Sequence, residues 1–491
     1  MGNSFPFPRR PSLIKGSVLA AIAVATLVWS TGAPAQSAAQ RAVDAAKKIC
    51  AGRTITIVWE AGLQSLDPLN FSGPKWEAAT GCKVKVVEVP TAEMFTKIMQ
   101  EYRAGTGAYD ALNVIPAWMP DLAQAGALEV LDPYVDKYGF RAELQKIAPI
   151  YRDNQMTVNG KIYGFPDDGD VFIMYYRKDI FARADLKKEF KAKYGYDLAP
   201  PKTWKQFDQI GSFLTDALKS EGIYGACFFR DAPYTMFMFE ERFRNEGGRF
   251  FDPNTMKATI NSPIGVRVLT EMRNENRFMP PGVEKFGFGE NLAVFLKGES
   301  AMTISWPPYG RFAAGYLASE KALDWVPKSQ IAGKVGYALP PGGHPELAAG
   351  FALSVASTSK QKEQAYLFIQ WLNSEDTSTL RVQLPYALRD PFRDSHYVNK
   401  DYLAKWPDAK YYLATLKDAS KTGLLDLSLI QTDKYEEALR HAISRLWAGE
   451  DPKKILDDTA KQWDDITQEV GVEKQKAVYK AWAAKSGAYP M

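Results

Sequence analysis

Residues 159–181, NGKIYGFPDDGDVFIMYYRKDIF, decide the fold of this chain. The continuous apolar run at residues 171–176 predicts a strand buried on both faces, and a helix-compatible segment follows it. Three carboxylates, Asp167, Asp168 and Asp170, precede that strand. A carboxylate-rich turn beside a buried strand either lines a ligand site or forms a solvated loop. The stretch alone leaves both interpretations open.

The first 35 residues have the pattern of a secretory signal peptide. Arg9, Arg10 and Lys15 form a positive region, residues 17–29 an apolar region, and Ala33-Pro34-Ala35 a cleavage site. We therefore predict a soluble protein exported to the periplasm. Removing residues 1–35 lowers the formal net charge from +4 to +1, because three positive charges and no acid are lost. That balance gives no basis for a nucleic-acid or membrane partner.

Three cysteines belong to the remainder of the chain. Residues 54–59 and 83–89 are predicted strands joined by a short helical segment, which indicates a parallel β-α-β unit. Cys50 and Cys82 directly precede these strands, and neighbouring strands lie about 4.8 Å apart, so the two are predicted to form a disulfide in an oxidising compartment. Cys227 lies in an apolar run and is predicted to be a buried free thiol.

The mature chain exceeds what one hydrophobic core usually holds, which predicts two lobes. Trp59 and Glu60 end the first strand, and Trp118 follows a third strand at residues 109–115. In open α/β sheets ligands bind at the carboxyl ends of parallel strands, so these side chains are expected to face one crevice. An aromatic residue after a strand is also typical of a core.

Other elements follow from capping and periodicity. Thr91 is predicted to cap a helix that ends at Gly105, and Thr203 with Gln206 forms a predicted capping box. Asp451 and Pro452 are predicted to start a helix that runs to residue 469. The remaining predicted strands are residues 301–306, 335–338 and 350–356, and the remaining helices are residues 360–372 and 435–447.

Motifs of known enzymes are missing from the sequence. It has no G-x-S-x-G, H-E-x-x-H, P-loop or G-x-G-x-x-G pattern, and the three histidines, His344, His396 and His441, are scattered. We predict no catalytic residues, no metal site and no cofactor. Paired carboxylates can still hydrolyse glycosides, so a glycosidase remains the enzymatic alternative. Aromatic side chains make up 13% of the chain and can stack on sugars in a small-ligand cleft.

Four segments carry a resemblance to a known family. The chain resembles the periplasmic solute-binding proteins of bacterial ABC importers, in the branch that includes the maltose-binding protein and receptors for other sugars, polyols and glycerol phosphodiesters. The segments lie in the family's order across most of the mature chain. They are GAYD (residues 107–110) with DLAQAGAL (121–128), GKIYGFP (160–166) through YYRKD (175–179), KGESAMTI (297–304), and GFAL (350–353) with IQWL (369–372).

The resemblance implies an α/β, two-lobed type II periplasmic binding protein fold, in which each lobe is a mostly parallel sheet flanked by helices. It implies an N-terminal lobe of residues 36–165 plus 350–387 and a C-terminal lobe of residues 166–349 plus 388–491. The crossovers between the lobes are expected at residues 164–168, near residues 347–351 and near residues 384–390.

The resemblance also implies a set of ligand-binding residues in the cleft. Arg389 could take a hydroxyl, a carboxylate or a phosphate, or could form an ion pair with Asp390 or another acid. Residues 116–119 lack the charged residues that the maltose branch keeps at this position, which argues against maltodextrin as ligand. The implied set is Trp59, Glu60, Trp118, Asp168, Asp170, Tyr234, Trp306, Tyr309, Phe351 and Arg389.

By this resemblance the protein is expected to capture a sugar, sugar alcohol or short oligosaccharide and to deliver it to the transmembrane subunits of an ABC permease. It is expected to act as a monomer. Three alternatives stay open: a secreted glycosidase, a glycerol phosphodiester receptor of the same family, and a sugar sensor or adhesin without a transport role.

Overall fold

The computed structural model describes residues 36–316, 323–386, 388–485 and 487–489. The predicted signal peptide at residues 1–35 lies outside them. Among the described helices, none is both long and apolar enough to cross a membrane.

The described strands form two main sheets and one two-stranded ribbon. Most of them lie at or within two residues of the positions that the sequence predicts. They are β1 (Thr54–Glu60), β2 (Lys83–Val89), β3 (Ala111–Val114), β4 (Thr157–Val158), β5 (Lys161–Ile162), β6 (Gly164–Asp168), β7 (Ile173–Arg177), β8 (Met302–Ser305), β9 (Val335–Ala338) and β10 (Phe351–Val355).

The larger sheet has the strand order β2-β1-β3-β10-β6. Strand β1 pairs in parallel with β2, where Thr54 lies opposite Lys83, and with β3, where Ile57 lies opposite Ala111. Strand β10 returns antiparallel between β3 and β6. Because β1 and β3 are parallel, Glu60 and Trp118 emerge at the same edge of this sheet.

The smaller sheet has the order β8-β7-β9, and both of its pairings are antiparallel. The expected α/β fold is present, but the expectation of a mostly parallel sheet in each lobe does not hold for this sheet. The direction of a pairing depends on the end of the sheet to which the intervening chain returns. Local strand and helix patterns do not encode that choice.

The helices cover both sheets and form the C-terminal part of the chain. The described helices are α1 (Ala38–Ile49), α2 (Gly73–Thr80), α3 (Thr91–Ala104), α4 (Met119–Ala125), α5 (Asp132–Lys137), α6 (Arg141–Leu144), α7 (Pro149–Gln155), α8 (Lys178–Ala182), α9 (Ala184–Tyr194), α10 (Trp204–Ala217), α11 (Ala232–Asn245), α12 (Pro263–Glu275), α13 (Phe288–Lys297), α14 (Pro308–Ala313), α15 (Lys362–Asn373), α16 (Glu375–Arg381), α17 (Asp394–Tyr397), α18 (Lys400–Leu403), α19 (Ala409–Thr422), α20 (Thr432–Trp447), α21 (Pro452–Val470) and α22 (Val472–Ala483).

Helix starts follow the predicted caps at two of three positions. The side chain of Thr203 accepts a hydrogen bond from the amide of Gln206, and that of Asp451 accepts one from Lys454. Thr91 is not a cap: Pro90 holds the cap position, and the Thr91 hydroxyl donates to Glu60 instead. The prediction was wrong because a carboxylate on the neighbouring strand competes for that hydroxyl.

Cys50 and Cys82 form the predicted disulfide, with a Cα–Cα distance of 5.1 Å. Cys50 caps the C-terminus of α1, and Cys82 directly precedes β2. The bond therefore fastens the first helix to an edge strand of the larger sheet. Cys227 is free and buried, and burial raises the pKa of its thiol, as expected of an unreactive core cysteine.

The chain passes from the larger sheet to the smaller one before β7 and returns to the larger sheet after β9. Strand β6 belongs to the larger sheet and β7, which follows directly, to the smaller one. After β9 the chain returns to the larger sheet as β10. The first passage lies at residues 169–172, directly after the predicted first crossover, and the second lies at residues 339–350, which include part of the predicted second crossover. The exact division of the chain into lobes stays a prediction.

Candidate functional site

A cavity of about 1210 Å³ lies where elements from the two sheets meet. Glu60, the last residue of β1, and Trp118, in the turn after β3, line it from the larger sheet. Trp306, directly after β8, and Tyr234, in the first turn of α11, line it from the other side. Both sets of elements therefore contribute side chains to one concave site.

The structure divides the predicted ligand-binding residues into two groups. Those that line the cavity are Glu60, Trp118, Asp170, Tyr234, Trp306 and Phe351. Those that lie outside its lining are Trp59, Asp168, Tyr309 and Arg389, all of which are buried.

Trp306 forms an aromatic wall of the cavity that is held firmly in place. Its ring stacks on Phe229 with a centroid distance of 5.1 Å, and Tyr234 meets it edge-on at 5.5 Å. The indole Nε1–H donates to the carbonyl oxygen of Ala348 at 2.9 Å. These contacts fix the ring orientation before any ligand arrives, which lowers the entropic cost of binding.

Trp118 has both of the roles that the sequence left open, as a core residue and as a residue that faces the crevice. Only 4% of its surface is exposed, and its ring meets Phe95 of α3 edge-on at 5.6 Å. Both rings line the cavity. Trp118 is therefore a core residue of the larger sheet with one edge at the cavity.

Glu60 is a half-buried carboxylate at the end of β1. It accepts a hydrogen bond from the Thr91 hydroxyl. Burial raises its pKa, although that hydrogen bond and the charge of Arg389 act in the opposite direction. No ion pair to Glu60 occurs within the part of the chain that the structure describes.

Asp170 is part of a buried carboxylate trio with Asp168 and Asp390. Burial, followed by the charges of the other two groups, raises the pKa of Asp170 well above its usual range. A side-chain hydrogen bond with Asp390 adds to this rise and lowers the pKa of Asp390. Asp390 also contacts Arg311 at 2.8 Å. Of the trio, Asp170 lines the cavity.

Arg389 lies behind the cavity in a buried ion-pair network. Its guanidinium lies 3.2 Å from Asp167, 3.5 Å from Asp67 and 3.8 Å from Asp168. It also covers the ring of Trp59 at 5.3 Å, which explains the position of that tryptophan. Arg389 thus forms ion pairs with acids other than Asp390, one of the alternatives that the sequence left open.

Tyr309 supports the cavity wall from behind. Its hydroxyl donates to the carbonyl oxygen of Phe288 at 2.7 Å and accepts from Asn291 at 3.1 Å. Phe288 itself lines the cavity. Asp168 has a similar supporting role, because it accepts from the side-chain amide of Gln64, another lining residue, at 3.0 Å.

Comparison with known proteins decides the family. The family model described as bacterial extracellular solute-binding protein matches residues 61–378, well over half of the chain. This chain belongs to that family.

Two curated relatives of this solute-binding protein illustrate its similarity. A probable ABC transporter-binding protein of Deinococcus radiodurans is 27% identical over 78% of this chain and 86% of its own length. A mannitol-binding protein of Pseudomonas aeruginosa is 26% identical over 63% of this chain and 67% of its own length.

A solved structure shows the same fold. The ABC transporter solute-binding protein of Agrobacterium radiobacter K84, in complex with ribitol, superposes with a TM-score of 0.69 and is 21% identical. The match covers 85% of this chain and 99% of the other. The solute-binding protein described here therefore has the type II periplasmic binding protein fold.

Sequence reasoning missed one wall of the cleft of this solute-binding protein. Helices α20 and α21 present polar side chains to the cavity, among them Asp433, Glu436, Arg440 and Gln462. The helical periodicity of α20 separates a buried apolar face from a polar face. That polar face was the available signal, but it does not reveal that the cavity lies opposite.

The segment between β9 and β10 borders the cavity with an unusual backbone. Ala348, Ala349 and Gly350 have φ angles of 54°, 76° and 63°. Alanine rarely adopts this left-handed conformation, and the Asp426 carboxylate holds it here by accepting the N–H groups of Ala348 and Ala349 at 3.1 and 2.7 Å. In a two-lobed solute-binding protein this position corresponds to the predicted second crossover.

Two groups of three carboxylates could in principle hold a metal ion. Within the described residues these are Asp168, Asp170 and Asp390, and Glu240, Glu346 and Asp426. Each group has arginine contacts: Arg311 and Arg389 beside the first, and Arg244 at 2.8 Å from Glu346 in the second. Guanidinium groups therefore provide the positive charge that a metal would otherwise supply.

Proposed function

We propose that this protein is the substrate-binding component of an ABC importer that captures a sugar alcohol, sugar or short oligosaccharide in the cleft cavity. The observation that carries the proposal is a cavity whose aromatic residues include residues from the ends of strands in both sheets and whose lining includes carboxyl groups. The rings of Trp306 and Tyr234 line the cavity and can pack on the C–H groups of a polyol, and the Glu60 carboxylate can accept hydrogen bonds from its hydroxyls.

The size of the cavity supports a carbohydrate-sized ligand. Its volume of about 1210 Å³ slightly exceeds the usual range of roughly 300–1,000 Å³ for small-ligand pockets. This allows a monosaccharide, an alditol or a short oligosaccharide. The mannitol and ribitol in the names of the relatives favour the same chemical class.

In this proposal the protein acts in the periplasm as a monomer and returns its ligand chemically unchanged to the permease. The glycosidase alternative requires bond cleavage. The sensor or adhesin alternative predicts binding without transport, so uptake by a strain lacking the gene separates it.

A thermal-shift panel of sugars, alditols, uronates and glycerol phosphodiesters tests the proposal. A ligand at about a thousand times its Kd adds about 4 kcal/mol to the free energy of unfolding and raises the Tm by several degrees. Mass spectrometry of the recovered ligand should show the intact compound. A cleaved product would favour the glycosidase, and no shift with any carbohydrate would contradict the proposed ligand class.

Two tyrosine variants provide a matched comparison. Tyr234→Phe removes a hydroxyl at the cavity and should reduce the ligand-induced shift. Tyr309→Phe removes a buried hydroxyl outside the lining, which should lower the Tm of the free protein but preserve the ligand-induced shift. Equal losses of the shift in both variants would contradict the assignment of the site.

A further inference from the structure

Acidic side chains outnumber basic ones around the cavity. Among the described residues that line it, Lys434 and Arg440 are the cationic side chains, with His441 beside them on the same helix. The carboxyl side chains in the lining are Glu60, Asp170, Asp433, Glu436, Glu437 and Asp465.

The two cationic side chains are already paired with acids. Arg440 lies 3.4 Å from Glu436 and 3.2 Å from Glu437. Lys434 lies 3.0 Å from Glu469. Both belong to α20, so neither is on the strand that carries Glu60.

Among the residues that the structure describes, the opposite wall carries the carboxyl groups of Glu60 and Asp170 and no cationic side chain. The guanidinium of Arg389, whose charge acts on Glu60, lies outside the lining and contacts Asp67, Asp167 and Asp168. Its Nη2 also donates to the backbone carbonyl of Gln64 at 2.9 Å, which places it behind that residue. An anionic ligand would therefore meet negative charge without a compensating donor.

On both walls of the cavity, neighbouring carboxyl groups act on one another. Burial raises the pKa values of Asp170, Asp433 and Glu436, the last to about 7. Asp168, Asp390 and Glu60 add to the rise at Asp170. At Glu436 the charge of Arg440 lowers the pKa, and Asp426 and Asp433 raise it. The acid–acid part of these shifts attracts any cation, not only a proton.

Aromatic faces complete a cation-compatible surface. Trp306 and Tyr234 line the cavity together, and Phe237 and Phe288 lie beside them with ring centroids 6.4 and 6.1 Å from that of Trp306. Aromatic ring faces attract ammonium groups as well as sugar C–H groups. Burial and the charges of Glu60 and Asp231 raise the pKa of Tyr234 to about 12, so these carboxylates act on the aromatic wall.

We propose that the cavity selects a polyhydroxylated ligand that carries a protonated amino group, such as an amino sugar or an amino alditol, with Glu60 as the residue that sets this preference. The inference rests on the proposed function and narrows its ligand class. It predicts rejection of the matching carboxylate and phosphate compounds.

The test compares three ligands that share one carbon skeleton and are neutral, positively charged or negatively charged. Isothermal titration calorimetry at pH 7 uses D-glucitol, 1-amino-1-deoxy-D-glucitol and D-gluconate, and repeats the comparison on the galactose and mannose skeletons. The amine should bind about tenfold to a hundredfold tighter than the neutral compound, as expected of a charged hydrogen bond. The carboxylate should bind at least about tenfold more weakly than the neutral compound.

Two carboxyl variants assign the preference to a residue. Glu60→Gln keeps a hydrogen-bond acceptor and should reduce the amine preference at least about tenfold, with the affinity for the neutral compound changing less than about threefold. Glu473→Gln is the control and should leave the amine preference unchanged, because Glu473 lies outside the cavity lining, is 80% exposed and is paired with Lys476. Should Glu60→Gln not fold, raising the salt concentration on the native protein should weaken the amine and leave the neutral compound unchanged.

The outcomes separate this inference from the proposed function. A neutral compound that binds as tightly as its amine overturns the amino-group selectivity and leaves the carbohydrate receptor intact. Tighter binding of a carboxylate than of its neutral analogue also overturns it. Failure of every skeleton, charged or neutral, overturns both the selectivity and the receptor.

Discussion

At the scale of single residues, one fully buried carboxyl side chain makes the stability of the protein depend on pH. Glu241 of α11 has no exposed surface, and its Oε2 accepts the backbone N–H of Glu346 at 3.1 Å. Burial raises its pKa to about 8, against an ordinary value of 4.5. The folded protein therefore binds a proton at Glu241 in a pH range where the unfolded chain does not.

This proton makes the stability depend on pH in a defined direction. Above pH 4.5 the unfolded chain loses the Glu241 proton and the folded protein keeps it up to about pH 8, so the free energy of unfolding falls as pH rises through this window. Glu241→Gln retains an oxygen for the Glu346 N–H and removes the titration. We expect the effect of Glu241→Gln on the free energy of unfolding to be more stabilising at pH 8 than at pH 4.5. The expected difference between the two pH values is about 1–3 kcal/mol.

Urea unfolding of both proteins at pH 4.5 and pH 8 measures this difference. The control is Glu437→Gln, whose side chain is 75% exposed and should give the same small change at both pH values. An effect of Glu241→Gln that is identical at the two pH values would show that burial does not hold the proton.

Strand ends are the local signal that located three of the residues in the cavity lining. Glu60, Trp118 and Trp306 each follow a strand that its apolar pattern reveals, and all three line the cavity. Arg389 could not be resolved in the same way, because its partners Asp67 and Asp167 are distant in sequence and meet it only in the folded chain. Long-range pairing of this kind has no local signature.

At the scale of elements, the disulfide fastens α1 to the larger sheet. Helix α1 packs alanines against the core and ends at Cys50, which is bonded to Cys82 across 32 residues of sequence. Closing a loop of this length stabilises the fold by about 3–4 kcal/mol in the chain-entropy model. Oxidation of the two cysteines therefore adds to the stability with which the first helix is attached to the sheet.

The double variant Cys50→Ala/Cys82→Ala should lower the free energy of unfolding by about 2–5 kcal/mol, because the unfolded chain regains the entropy of the open loop. Chemical unfolding of the oxidised and variant proteins measures the change. Thiol titration in denaturant should find one free thiol in the native protein, from Cys227, and none in Cys227→Ala. Three free thiols in the native protein would contradict the bond.

Element boundaries were predictable where the signal is local. The start of α21 at Pro452 follows from the Asp451 cap, and β2 has the predicted bounds, because cap chemistry and alternation act over a few residues. The cap at Thr91 failed because Glu60 on a neighbouring strand binds its hydroxyl. The expectation of a mostly parallel smaller sheet was also wrong, because the pairing direction depends on how the chain runs between strands that are far apart in sequence.

At the scale of the whole molecule, the cavity joins walls that belong to different sheets. Trp118 lies on the side of the larger sheet and Tyr234 on the side of α11. A ligand favours a closed arrangement only through contacts that differ between the open and closed states. If one ligand contacts both walls when the cleft closes, substitutions on the two walls should not act independently.

The variants Trp118→Phe and Tyr234→Phe, alone and together, test this closure with a ligand found in the panel. Each should weaken binding, and the double-mutant cycle should give a coupling energy of about 0.5–3 kcal/mol, because each contact requires the closure that the other helps to stabilise. Small-angle scattering should show a smaller radius of gyration with ligand for the native protein. Trp59→Phe, a buried tryptophan outside the lining, should lower stability without coupling to Tyr234. Additive effects within about 0.5 kcal/mol, with no change in the radius of gyration, would mean that ligand binds one wall of an open cleft and that binding does not close it.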